Sequence, residues 1–140
     1  MIRALFFDFY DTLCYVDDET YFAGKVEMGR ILGIDPETFI KEWRKTGGES
    51  LIGKLESTKD RIAKVASVLG ITLTDEKITR LNEVENDFLF RAAELYPNTG
   101  NVLNMLRRSG FLLGIISNAS NTVEILRKKF NLDHYFNVIN

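Results

Sequence analysis

Two short apolar runs, IRALFF at residues 2–7 and FLLGII at residues 111–116, are separated in this 140-residue chain by a long stretch with the texture of amphipathic helix. Runs this brief, apolar but for Arg3 and Gly114 and closed by turn-forming residues, read as buried strands. A third strand is expected within residues 135–139. Short apolar strands alternating with helices imply an α/β fold built on a parallel sheet, with the helical block inserted after the first strand. That single pattern excludes an all-helical bundle and an all-β sandwich.

The helices announce their ends. Asp35 before Pro36 places a capping carboxylate ahead of a proline at the first helical position, and Gly47-Gly48 is the expected stop. Ser57 to Asp60, STKD, reads as a capping box opening a helix whose inner face carries Ile62, Val65, Ala66 and Leu69 and which ends at Gly70. Thr74 caps the next helix, with Ile78, Leu81, Val84, Phe88 and Leu89 at helical spacing toward Leu95. Tyr96-Pro97 breaks the pattern. Beyond it, Val102, Leu103 and Leu106 form the inner face of a helix ending at Gly110, and residues 123–130 form another. The expected division is a core from residues 1–16 and 96–140 with a helical block from residues 17–95.

Composition narrows the function classes. With 45% apolar and 27% charged residues the chain can bury a core, and a formal charge of −2 with interspersed signs lacks the basic footprint of a nucleic-acid binder. No apolar run approaches the ~20 residues of a membrane helix, and residues 4–7 are too brief for a signal-peptide core. A soluble, cytoplasmic protein with neither nucleic acid nor membrane as partner is expected. The lone Cys14 excludes an internal disulfide and is expected to pack, because no basic neighbour would stabilise its thiolate. His134, in a polar connection, and the pair Phe39 and Trp43 are expected to be structural. Tyr21 and Phe22 stand where they could line the entrance to the helical block.

Ligands of parallel α/β sheets gather at the carboxyl ends of the strands. Asp8 ends the first run and Ser117-Asn118 the second, so residues distant in sequence converge on one rim. Singly, each has an ordinary explanation: Asp8 or Asp11-Thr12 as a turn cap, and Asn118 or Ser120 as a helix cap. Their joint placement after two apolar strands is the functional signal.

The stretch FFDFYDTL, residues 6–13, resembles the first motif of the haloacid dehalogenase-like hydrolases, and GIISNAS, residues 114–120, resembles their second. The intervening block is placed like the helical cap of one branch of that superfamily. The resemblance implies a Rossmann-like core, a helical cap, and Asp8 as a nucleophile that forms an aspartyl intermediate later hydrolysed by water. Thr12 would support the turn carrying Asp8. Ser117, with Asn118 beside it, would bind an oxygen of the transferring group. In the phosphatase branch Mg2+ would be held by Asp8 and the backbone carbonyl of Tyr10, and the substrate would be a small phosphomonoester.

Tyr10 departs from the phosphatase pattern, which has a second aspartate there as acid and base. A halide leaves without a proton, so Tyr10 points toward a 2-haloacid dehalogenase, which needs no metal. Asp11 points back toward phosphatase-like members. Arg44, in EWRK, is a candidate cap arginine for a substrate carboxylate, the other reading being a solvated arginine on a helix face, and Tyr10 is its companion in substrate contact. The family's third and fourth motifs, a lysine and an acidic group after the third strand, have no counterpart before Asn140. The expectation is therefore a catalytically incomplete fragment, or a binding module whose exposed surfaces engage another chain. The first strand would then have an open edge, to be covered by a second copy in a homodimer.

Overall fold

The computed structural model describes residues 2–119 and 121–140. The first apolar run becomes β1 (Ala4–Phe7) and the second β4 (Leu112–Ile115), paired in parallel with Phe7 beside Ile115. β4 pairs in parallel on its other side with β5 (Val138–Ile139), giving the order β1-β4-β5. Residues 135–139 contribute only those two strand positions, because Leu132–His134 forms a 3-10 turn in front of them.

Leu5, Phe7, Leu113, Ile115 and Ile139 belong to one apolar cluster, which α6 (Thr99–Arg108) closes with Leu103 and α7 (Thr122–Lys129) with Leu126. The alternate strand positions lie on the opposite face. There Phe6, Leu112, Ile116 and Val138 are all more than half exposed. Among the described residues the sheet is thus covered on one face, whereas the apolar runs alone suggest burial on both. A glycine suits position 114 on the open face because the Phe6 ring occupies its side-chain space, and a Cβ there would overlap that ring.

Residues between β1 and α6 build a second cluster. α1 (Asp18–Leu32), α2 (Pro36–Lys45), α4 (Thr58–Val68) and α5 (Asp75–Ala92) bury Met28, Phe39, Trp43, Ile62, Val65, Leu81 and Val84 together. Phe39 and Trp43, one helical turn apart, stack with ring centroids 5.8 Å apart. The caps legible in sequence are present. Asp35 accepts from the Thr38 N–H, Ser57 and Asp60 bond reciprocally, and Thr74 accepts from the Lys77 N–H.

Three expectations need correction. Gly47-Gly48 does not end helical structure but begins the short α3 (Gly47–Leu51); α2 stops at Lys45, and the Thr46 hydroxyl donates to the Trp43 carbonyl at 2.7 Å. Residues 93–95 leave the helical pattern as β3 (Ala93–Leu95), which pairs antiparallel with β2 (Cys14–Val16). This ribbon, unseen in the sequence because each strand has three residues, carries the chain into and out of the helical layer. Val102 is 46% exposed rather than on the inner face, since Leu103 and Leu106 alone turn toward the sheet. Among the described residues no helix is long and apolar enough to cross a membrane.

Candidate functional site

At the end of β1 the chain turns sharply under backbone control. The Phe9 carbonyl accepts from the N–H groups of Leu13 and Cys14, and the Asp11 N–H donates to the Cys14 carbonyl. Asp11 takes φ +58, a left-handed conformation that aspartate tolerates better than most residues. Fully buried Phe9 and nearly buried Leu13 anchor the turn in the core. Asp8 stays exposed at its start, with Oδ1 accepting from the Phe9 N–H at 2.8 Å.

β4 ends beside it. The Ser117 N–H donates to the Asn140 carbonyl at 3.1 Å and its Oγ accepts from the Ala119 N–H at 3.2 Å, which holds the hydroxyl at the rim of the sheet. Ser120 lies outside the described residues. A cleft of about 550 Å³ opens over this rim, and Asp8, Tyr10, Ser117 and Asn118 all line it. Four of the residues expected from sequence are therefore brought together. Tyr21 and Phe22 line the cleft as well, at the start of α1.

Two expected residues stand apart from the cleft wall. Thr12 is exposed, and among the described residues the turn is held by backbone bonds. Arg44 is exposed too, with its guanidinium over the Phe22 ring at 4.6 Å. The physical reason is helical phase: Arg44 follows buried Trp43 by one residue, a rotation of about 100° that carries it away from the packed face.

Tyr10 has a definite place. Its hydroxyl donates to Thr122 Oγ1 at 3.1 Å, tying the turn to the start of α7. Burial raises its phenol well above the ordinary range, so it holds its proton. The Cys14 thiol is pushed up to about 12, first by burial and then by the neighbouring charges of Asp11 and Asp8, consistent with a packing role. His134 is exposed and packs edge-on against Tyr135.

The helical layer contributes groups that sequence reasoning missed. Lys25 and Glu85 form a buried ion pair, Tyr21 Oη donates to the same carboxylate, and the Lys25 ammonium lies 3.5 Å from the Tyr21 ring centroid. Burial lowers the Lys25 pKa to about 8, with Glu85 pulling it back up. Arg61, on the first turn of α4, lines the cleft along with Glu85. A signal existed for Glu85, a charge inside the apolar stripe Leu81, Val84, Phe88 and Leu89. Arg61 had none, because an arginine in a first helical turn is ordinarily solvated.

The donor set of the rim suits a hard cation only in part. Among the described residues no three His, Cys, Asp or Glu side chains gather into a metal-binding group. The Asp8 carboxylate and the Tyr10 carbonyl, which accepts no backbone hydrogen bond among the described residues, supply two oxygens. Mg2+ commonly keeps several waters and takes one or two carboxylates plus substrate phosphate, so these oxygens fit it.

A strand-end carboxylate and a strand-end serine under a helical layer define a class, and family comparison agrees. The chain belongs to the haloacid dehalogenase-like hydrolases, whose family model matches residues 2–140. It is 32% identical over 109 residues to a phosphoglycolate phosphatase of Mannheimia succiniciproducens, an alignment covering 72% of this chain and 45% of that protein. The chain thus spans a little under half the length of the curated relatives it matches. Among solved structures it resembles a HAD phosphatase from Thermococcus onnurineus, at 21% identity and TM-score 0.58, over 99% of this chain and 61% of that one. It equally resembles the L-2-haloacid dehalogenase from Xanthobacter autotrophicus, at 19% identity and TM-score 0.59, over 99% and 56%. At such identities these structures speak for the Rossmann-like α/β fold and not for a substrate.

Proposed function

We propose that the chain supplies the nucleophile of a magnesium-dependent phosphatase acting on small phosphomonoesters, with residues 17–95 as its cap. The observation that carries this reading is the convergence of Asp8 and Ser117-Asn118 on one cleft wall. The phosphatase relative at 32% identity favours phosphorus over carbon as the atom attacked. An Asp8 oxygen would form a bond to phosphorus as the bond to the ester oxygen breaks, leaving an aspartyl phosphate that water then hydrolyses. Ser117 Oγ and the backbone N–H groups of the β4 rim would bind the phosphoryl oxygens. Asp8 and the Tyr10 carbonyl would hold Mg2+. When bound, that ion would offset the negative charge of the transferring group.

One observation favours a second reading. The Tyr10 hydroxyl is committed to Thr122 and holds its proton, so it gives no acid–base help to an alkoxide leaving group. A 2-haloacid dehalogenase expels halide, which needs none.

A full-length protein that carries this chain should release inorganic phosphate from small phosphomonoesters with Mg2+, and Asp8→Asn in it should reduce this at least 100-fold with an unchanged circular dichroism spectrum. Retained turnover in Asp8→Asn would remove Asp8 from its role. Chloride release from 2-chloropropionate without metal, in place of phosphate release, would transfer the assignment to the dehalogenase reading.

A further inference from the structure

Besides Asp8, the carboxylates of Asp11, Asp18 and Glu85 line the cleft. Asp11 and Asp18 are exposed, whereas Glu85 is nearly buried and is reached from the cleft. Both Glu85 oxygens are held. Oε1 accepts from the Tyr21 hydroxyl at 3.1 Å, and Oε2 pairs with the fully buried Lys25 ammonium. Glu85 also lies near enough to the β1 turn for its charge to reach the Tyr10 phenol. A carboxylate of the helical layer is thus fixed over the turn that carries Asp8, with an ammonium behind it and the cleft in front.

A buried ion pair is a poor source of stability, because desolvation takes back most of what the attraction gives. It is well suited to storing a proton. Burial pulls Lys25 down to about 8, Glu85 pulls it back up, and the charge of Arg61 lowers it further. An ammonium of that kind gives up its proton and recovers it near neutral pH, as a group that serves first as acid and then as base must. The turn itself has no such group, since the Tyr10 hydroxyl is committed to Thr122.

We infer that Glu85 is the general acid and base of the reaction, passing a proton between the Lys25 ammonium and the oxygen that leaves or attacks phosphorus. This rests on the phosphatase reading above. In the first half, the bond from phosphorus to the ester oxygen breaks and its electron pair stays on that oxygen. The oxygen takes a proton from Glu85 as Glu85 takes one from Lys25 Nζ, so an alcohol leaves, Glu85 is again a carboxylate and Lys25 is a neutral amine. In the second half, water bonds to phosphorus and loses a proton to Glu85, which returns it to Lys25. The bond from phosphorus to Asp8 breaks in that step, and Asp8 regains its carboxylate. Tyr21 keeps Glu85 in place throughout.

The test compares propyl phosphate with 4-nitrophenyl phosphate in a full-length protein that carries this chain, with Mg2+ present. Propoxide needs a proton in order to leave, whereas 4-nitrophenolate leaves as a stable anion. Because kcat/KM reports only the steps up to loss of the leaving group, the later attack of water does not enter. Glu85→Gln should lower the propyl-to-nitrophenyl ratio of kcat/KM by roughly 100-fold or more, the lower end of general acid catalysis. The double variant Lys25→Met, Glu85→Leu removes both charges together, guards against a folding defect, and should lower the ratio as far. In a folded variant an unchanged ratio, whether or not both rates fall, would overturn the role of Glu85 and leave the phosphatase reading standing. A wild type that hydrolyses only the nitrophenyl ester would do the same. A wild type that hydrolyses neither ester would overturn that reading and this inference together.

Discussion

Lys25 and Glu85 illustrate how a buried pair is constrained at the level of single residues. Lys25 is fully buried and Glu85 nearly so, and each is the other's counter-ion. Truncating one partner leaves an uncompensated charge, so Lys25→Met and Glu85→Leu singly should each cost ~3–5 kcal/mol in urea denaturation. Replacing both together should recover most of that loss, because the pair gives back little beyond its own desolvation. The lowered Lys25 pKa carries the same message through pH. Between about 8 and the ordinary lysine value the unfolded chain holds a proton that the folded chain has released. The Lys25 contribution to stability should therefore rise across that window. Cys14 and Tyr10, both raised by burial, act in the opposite sense as pH approaches 10, so the contribution is read as the change between pH 8 and pH 10 in the midpoint difference between the wild type and the Lys25→Met, Glu85→Leu double variant. A difference that falls instead would show that Glu85 outweighs burial.

At the scale of elements, the helical layer depends on close approach as well as on caps. α1 crosses α5 where Gly24 meets Phe88, and a Cβ at Gly24 would lie 2.6 Å from the Phe88 Cβ. Gly24→Ala should therefore destabilise the protein by about 1–3 kcal/mol despite alanine's better helix propensity. Gly33→Ala would test strained backbone instead of space, since that glycine has φ +72 and no atom near its missing Cβ. Thermal melts of the Gly24 variant decide the first case: an unchanged or raised midpoint would show that the two helices move apart freely. The caps were legible in the sequence because each is local, a side chain bonding three residues ahead. The β2–β3 ribbon was not, because its bonds join Cys14 to Leu95 across the whole helical block. α7 is tied to the end of α5 in a similarly non-local way, with the Lys129 ammonium donating to the carbonyls of Phe90 and Ala93.

For the whole molecule the open side of the sheet governs behaviour. β1 pairs only with β4 among the described residues, and Phe6, Leu112, Ile116 and Val138 leave one face of the sheet apolar and exposed from β1 across to β5. An unpaired strand flanked by apolar side chains is a template for association. We expect this 140-residue chain to self-associate, with a second copy covering β1. Light scattering after size exclusion should return a mass above the 16.0 kDa of one chain, and a charged residue at Phe6 should lower it. A stable monomer with β1 open to solvent would refute this.

The sequence by itself determined where strands end, where helices start and which carboxylate stands at a strand terminus. Asp8, the Ser57 box and the Asp35-Pro36 start all follow from residues within a few positions of one another, where covalent geometry and short hydrogen bonds dominate. The convergence of Asp8 with Ser117-Asn118 was legible one step further, since parallel strands place their carboxyl ends on the same rim. Which arginine reaches the cleft was a matter for tertiary structure alone. The sequence offered Arg44 as the candidate and gave no signal for Arg61. The choice falls to the way α2 and α4 pack around Trp43, which turns Arg44 toward Phe22 and holds Arg61 against Thr46. Helical phase relative to a packed neighbour depends on contacts between distant residues, and no local pattern encodes it.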